Sequence, residues 1–402
     1  MMFKKIVTLK VYKYKSYLLT CRATIINDKS ILLVIKWRIR LKLIKMKKNK
    51  FSAVLLLFTF LTYQHKCFAQ NIFYGMTNKG GTNGTGTIFT FNTLTDSESV
   101  VWNFGSGTDG NSPFGDLILN PSNDLYYGMT NKGGTNGAGT IFTFNPLTDS
   151  ESVVWNFGSG NDGKSPYGNL VWNPLYNRFY GMTHSGGSRG YGTIFSFNPA
   201  TNNELILDSI FALFPGDDSL FAPLGNLIFD SLNNICYGML YTGGNLGSGG
   251  IISFKLSTNT ISNEFLFDQF DGLNPTGDLV LNPSNNLYYG MTLRGGNLTI
   301  GSPGTIFSLN PTTFAILDCW DFFGSPDGEN PSGNLVWNPL YNRFYGMTPN
   351  GGANGTGTIF TFNSLTDSES VVWNFGSGTD GNSPYGNLVW DSSNNLFYGM
   401  NS

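Results

Sequence analysis

Side chains able to do chemistry are sparse in this chain and recur at fixed intervals. Beyond residue 70 it carries a single histidine, His184. A general base needs an imidazole or carboxylate tuned near neutral pH and set beside its substrate. His184 instead stands in a loop where other copies of the same segment hold Asn, Leu or Pro, which reads as a solvated turn residue. No nucleophile elbow, metalloprotease helix or zinc-ligand set occurs. The expectation for catalytic residues, metal ligands and cofactors is therefore none.

Two polar or aromatic series are more regular. An Asp-Gly-x-x-Pro motif recurs with Asp109, Asp162, Asp271, Asp327 and Asp380, and Asp218 marks a degenerate copy. Equivalent placement would set these carboxylates around one rim. Calcium would require six to eight oxygen ligands, and one Asp per loop falls short, whereas Asp-Gly favours a tight turn in which the carboxylate bonds nearby amides. Trp172, Trp337 and Trp390 occupy a position where other copies have Leu119, Phe229 and Leu281. An indole there either packs in the core or stacks on a sugar ring at the rim, and repetition would add avidity to weak sites. These eight residues are the candidate rim-binding set for a glycan or protein partner. A polysaccharide hydrolase or lyase, the competing reading, would break the repeat with a loop bearing paired carboxylates. The longest departures, residues 215–222 and 298–303, add few such groups.

The elements that must position these residues follow from the repeat itself. Tyr-Gly-Met begins at Tyr74, Tyr127, Tyr180, Tyr237, Tyr289, Tyr345 and Tyr398, at intervals of 53, 53, 57, 52, 56 and 53 residues. That period lies near the ~50 of kelch-type units. Each period holds four short apolar segments rich in Val, Ile, Phe, Tyr, Trp and Thr, separated by Gly, Asn, Asp and Pro, which is the pattern of strands joined by tight turns. The segments are apolar on both faces, as in a sheet sandwiched between two others. An all-β, six-bladed β-propeller of four-stranded, ~53-residue repeats is predicted, with a seven-bladed or incomplete propeller and an open solenoid as alternatives. Five blades are continuous in sequence. The sixth requires the N-terminal strands to be joined by the C-terminal segment 386–391, which pairs the chain ends and removes an exposed edge. The segment 396–400 is then surplus.

The two ends differ sharply in charge. Residues 1–70 carry sixteen Lys and Arg against one acid, Asp28, while residues 71–402 carry eight against twenty-five, a formal charge of 8 − 25 = −17. Such an acidic surface repels phosphate backbones, so nucleic acid is excluded as a partner. Residues 46–70 read as a signal peptide: Lys47, Lys48 and Lys50, an apolar run from Phe51 to Tyr63, then Cys67-Phe68-Ala69. The run is short of the ~20 residues that span a bilayer, so no stable membrane span is expected. Cleavage falls near Ala69 or Gln70, giving a secreted, periplasmic or surface-located bacterial protein. Residues 1–45 read as a spurious or disordered extension and residues 71–402 as the propeller domain. Cys236 and Cys319 replace Leu, Phe or Val of other copies and read as small buried hydrophobes.

Taken together, Asn-Leu-Tyr-Tyr-Gly-Met-Thr, Gly-Gly, Gly-Thr-Ile-Phe, Trp-Asn-Phe and Asp-Gly-x-x-Pro resemble the bacterial GloVer tandem repeat of secreted "choice-of-anchor" proteins. The resemblance spans essentially all of residues 71–402. Family members usually carry Gly-Thr-Thr where this chain has Gly-Met-Thr. The resemblance implies a secreted repeat domain and brings no functional residue with it.

Overall fold

The computed structural model describes residues 6–10, 20–24, 72–210, 223, 225–244, 247–296 and 303–401. The chain divides into two units, Met1–Ala69 and Gln70–Ser402. In the first, Ile6–Lys10 pairs antiparallel with Thr20–Thr24. The expected signal peptide, residues 46–70, lies outside the described residues, as do Asp218 and most of the two long departures from the repeat.

The second unit is a six-bladed β-propeller, and its described residues contain no α-helix. Each complete blade is an antiparallel sheet in sequence order. Blade 1 comprises Asn111–Asn120, Leu125–Lys132, Thr140–Asn145 and Ser150–Asn156. Blades 2 to 5 repeat it with first strands Val171–Asn173, Leu227–Asp230, Leu273–Asn282 and Val336–Asn338. First strands contact each other from blade to blade and line the axis, while fourth strands face outward. Because strands alternate in direction, the first–second and third–fourth turns emerge on one face, and the second–third and interblade loops on the other.

Interblade packing explains the repeated glycines and aromatics. In the second strand of blade 1, Gly128 lies beneath the Phe142 ring, and an added Cβ would sit 2.5 Å from it. Glycine in Tyr-Gly-Met is thus demanded by an aromatic neighbour on the third strand. The Phe that follows the fourth strand of the closing blade and of blades 1, 3 and 4 then meets the equivalent ring of the next blade edge-on, while blade 2 has Ile210 there. Phe104–Phe142, Phe157–Phe195, Phe267–Phe307 and Phe322–Phe360 have centroid separations of 5.1, 5.3, 5.1 and 5.1 Å. Edge-to-face contacts of this kind contribute about 0.5–1.5 kcal/mol beyond area burial. Buried threonine hydroxyls cross-link the second and third strands, as in Thr130–Thr140 at 2.8 Å and Thr348–Thr358 at 2.9 Å, so these polar groups are hydrogen-bonded where water is excluded.

The closing blade is assembled differently from the expectation. Its N-terminal part is a three-stranded sheet of Ile72–Thr77, Thr87–Asn92 and Ser97–Asn103. At the other end, Val389–Asp391 pairs with Leu396–Tyr398 rather than with the N-terminal strands. The segment read as surplus therefore forms a hairpin, and among the described residues no ladder joins the chain ends. Side chains close the ring instead: the Tyr398 ring packs against Phe73 and Phe91 at 5.7 and 5.4 Å. The Tyr-Gly-Met strand outcompetes the distant N-terminal strand because the short turn 392–395 brings it beside Val389–Asp391 with little loop-closure entropy.

The cysteines also divide. Cys236 is fully buried, as expected, but Cys319 is exposed, and both are free thiols. Cys319 lies on the outward-facing fourth strand of blade 4 and donates to the Asp271 carbonyl at 3.6 Å.

Candidate functional site

The most regular polar constellation lies on the axis and was not singled out from the sequence. Each first strand contains, or is preceded by, Gly-Asp-Leu or Gly-Asn-Leu: Gly115-Asp116, Gly168-Asn169, Gly225-Asn226, Gly277-Asp278, Gly333-Asn334 and Gly386-Asn387. The leucines turn into the interblade core, where Leu170, Leu279 and Leu335 are buried. The Asp and Asn side chains bridge to neighbouring blades. The Asn169 amide donates to Asp116 at 2.8 Å, and the Asn226 and Asn334 amides donate to Asp278 at 2.8 and 2.7 Å. Backbone amides of Asp116, Asn169 and Asn334 donate to the side-chain oxygens of Asn169, Asn226 and Asn387. Asn387 bonds Asp116 and joins the last first-strand to the first. Around the axis the order is Asp, Asn, Asn, Asp, Asn, Asn, so each carboxylate accepts from the carboxamides on both sides. The glycines permit this approach. Gly277 has φ +70°, and a Cβ there would strike the Gly333 carbonyl, a conformation and a contact that a side chain disfavours.

Enclosure raises both axial carboxylates. Burial pushes Asp278 up to about 6, with bonds from Asn226 opposing the rise and the Asp116 charge adding to it. Asp116 is exposed, yet the surrounding protein still raises its pKa, offset by Asn169 and Asn387. A cavity of about 360 Å³ lies between blades 3 and 4 beside Asp278, lined also by Phe229, Asp230, Ser231, Leu281 and Tyr288. It exists where the chain has Leu281 instead of the indole found in blades 2 and 5.

A second set of perturbed carboxyls sits between blades. Burial, reinforced by a neighbouring aspartate, pushes Glu151 up to about 8 beside Asp109, Glu204 up to about 7 beside Asp162, and Glu369 up to about 8 beside Asp327. One oxygen of each glutamate is buried without a hydrogen-bond partner. Loss of water and a nearby negative charge both disfavour the ionised form of each glutamate. The fourth-strand Ser-Glu-Ser repeat carried this signal, but only the tertiary structure shows that Glu151 lies near the aspartate of the preceding loop.

The residues expected from the sequence fall into two separate series. Asp109, Asp162 and Asp380 fold back onto their own loops, accepting from the backbone of Gly105, Gly158 and Gly376 at 3.1, 2.7 and 3.1 Å. Asp327 is likewise bonded to the Phe323 backbone. In the loop of Asp271 the turn is held by Asp268, which accepts from Phe270 and Asp271. Trp172 and Trp337 are half-buried and rest on Phe179 and Phe344, both at 4.8 Å, on the adjacent strand of the same blade. Trp390 donates to Asn395 at 3.1 Å. The aspartates lie in interblade loops on one face, whereas the tryptophans lie at the ends of first strands near the other, so the fold does not bring the two series together. His184 is half-buried against Tyr167 at 5.3 Å, and burial lowers its pKa. Among the described residues no group of three or more His, Cys, Asp or Glu is arranged to hold a metal ion, and no helix is long and apolar enough to cross a membrane.

Fold and axial geometry define a repeat-built β-propeller. A profile of the Gloeobacter/Verrucomicrobia repeat matches residues 64–213 and 301–402, more than half of the chain, and the chain belongs to that family. No curated protein matches it. Among solved structures, a Lactobacillus plantarum protein is similar at TM-score 0.53 and 13% identity, over 82% of this chain and 94% of that one. Oligogalacturonate lyase from Vibrio parahaemolyticus is similar at TM-score 0.50 and 12% identity, over 79% and 78%. At such identities the likeness is one of fold.

Proposed function

We propose that the propeller is a secreted, non-catalytic binding or adhesive scaffold whose partner is a glycan or a protein. The observation that carries this reading is repetition with fixed geometry: equivalent loops on successive blades present the same groups, each held by its own hydrogen bonds. Rigid repeated sites suit a polymeric ligand, because the second and later contacts are intramolecular and add avidity to individually weak binding. The candidate residues are the interblade aspartates Asp109, Asp162, Asp271, Asp327 and Asp380 on one rim, and Trp172, Trp337 and Trp390 towards the other. Export is proposed to follow cleavage near Ala69 or Gln70, and the −17 charge of the remaining chain supports a soluble, well-dispersed protein.

A glycan array probed at millimolar ligand with the mature chain tests the glycan arm. Selective binding that falls on Trp172→Ala or Trp337→Ala supports it; uniform silence removes it and leaves the protein arm. Turnover of a polysaccharide by the purified chain would replace the scaffold reading with an enzymatic one.

A further inference from the structure

One face of the propeller carries a feature that neither the fold nor the axial ring requires. The third–fourth turns of blade 5, the closing blade and blade 1 read Leu365-Thr366-Asp367, Leu94-Thr95-Asp96 and Leu147-Thr148-Asp149. Their leucines are 71%, 73% and 90% exposed. In blades 2 and 4 the same position holds Ala200 and Thr312, so an apolar tip is not a requirement of the turn. Each leucine is also held in place: its amide donates to Asn363, Asn92 and Asn145 two residues earlier, at 3.1, 2.9 and 2.9 Å. Hydroxyl pairs Thr366–Ser368, Thr95–Ser97 and Thr148–Ser150, at 2.7, 2.7 and 2.8 Å, brace the same turns. The three aspartates have positive φ values of 45°, 49° and 50°. Three neighbouring sectors therefore display one rigid unit, an exposed leucine two residues before an aspartate, along an arc at the outer edge.

Charge selects the occupant. Lys79 lies just beyond one second strand and Lys132 ends another, both towards the opposite face; Arg343 opens the second strand of blade 5 on the arc's own face, and one cation against three aspartates leaves the arc net acidic. A second copy of the chain would bring the same carboxylates to the contact, and an anionic polysaccharide or lipid surface would be repelled. We infer that the Leu-Thr-Asp arc is a docking surface for a polypeptide segment that alternates apolar and cationic side chains. Leucines exclude water at each contact, and the aspartates fix register against Lys or Arg. The inference rests on the binding-scaffold reading and names the chemistry of its protein partner.

The test uses the mature chain and two synthetic peptides of equal charge, one alternating Lys with Leu and one alternating Lys with Ser, read by fluorescence anisotropy at 0.15 and 0.5 M NaCl. The Lys/Leu peptide is expected to bind at least tenfold more tightly and to retain binding at the higher salt, where purely ionic contacts are screened. The triple variant Leu94→Ser, Leu147→Ser, Leu365→Ser should weaken it at least tenfold. A control triple on the same face, Leu175→Ser, Leu232→Ser, Leu340→Ser, should change it less than twofold. All six side chains are exposed, so circular dichroism should be unchanged. Equal binding of the two peptides, equal loss in both triples, or sedimentation showing arc-dependent self-association would overturn the assignment. Glycan binding that survives the arc triple with no peptide preference would sink the arc while leaving the scaffold reading intact; silence of the chain towards both peptides and glycans would sink both.

Discussion

Mild acid should stabilise this propeller, and the interblade glutamates should be the reason. Glu151, Glu204 and Glu369 have pKa values pushed up to about 8, 7 and 8 by burial and by an adjacent aspartate. In the unfolded chain a glutamate titrates near 4.3. The folded state therefore binds protons that the unfolded state has released, and stability falls as pH rises from about 4.5 to about 8. A tenfold difference in proton affinity between the two states corresponds to about 1.4 kcal/mol, which sets an upper bound of about 5 kcal/mol for Glu151. Partial exposure and local relaxation reduce this to about 1–2 kcal/mol per site, or roughly 3–6 kcal/mol for three sites. With an unfolding entropy of about 2.1 cal/mol/K per residue over ~330 residues, the midpoint should rise by about 4–9 °C between pH 8 and pH 5. The perturbation is the triple Glu151→Gln, Glu204→Gln, Glu369→Gln, which keeps shape and removes the titrating groups. Differential scanning calorimetry should show the variant more stable than the parent at pH 8, nearly equal to it at pH 5, and with the slope above about pH 6 largely gone, while buried Asp278, raised to about 6, keeps a slope below it. A variant less stable at pH 8, or one retaining the full slope, would refute the reasoning.

Three further outcomes follow from the packing. Gly277→Ala places a Cβ against the Gly333 carbonyl at positive φ and should cost about 2 kcal/mol or more, seen as a lowered denaturation midpoint. Tyr398→Ala removes the ring that packs on Phe73 and Phe91 and should cost about 2–4 kcal/mol, with proteolysis starting near the chain ends before the other blades open. In the folded propeller unit, Cys319 should react with a thiol reagent in the native state while Cys236 reacts only after denaturation, as a mass-spectrometric time course would show.

Much of the fold was legible because a propeller repeats its physics. The Tyr-Gly-Met interval marks the second strand, and the four apolar segments per period mark a blade covered on both faces. The Asp-Gly loops were also readable as turns, since Asp109 and Asp162 each accept from a backbone amide of their own loop. The axial ring was not read, although Gly-Asp-Leu and Gly-Asn-Leu recur once per period. Those side chains find their partners 52 to 57 residues away, and a single copy of the tripeptide carries no sign of the bond.

Local chemistry thus settled, from the residues alone, which segments are strands and where they turn; the repeat count favoured six blades and left seven open, and the tertiary structure decided for six. Tertiary structure decided what depends on opposing surfaces: the carboxyl pairs formed between blades, and Cys319 facing outward while Cys236 is buried. It also decided that the chain ends meet through Tyr398 rather than through a backbone ladder. The division has one cause. A strand's period is fixed by neighbours in the chain, whereas burial and pKa are fixed by the adjacent blade, whose distance along the sequence hides which residues it will supply.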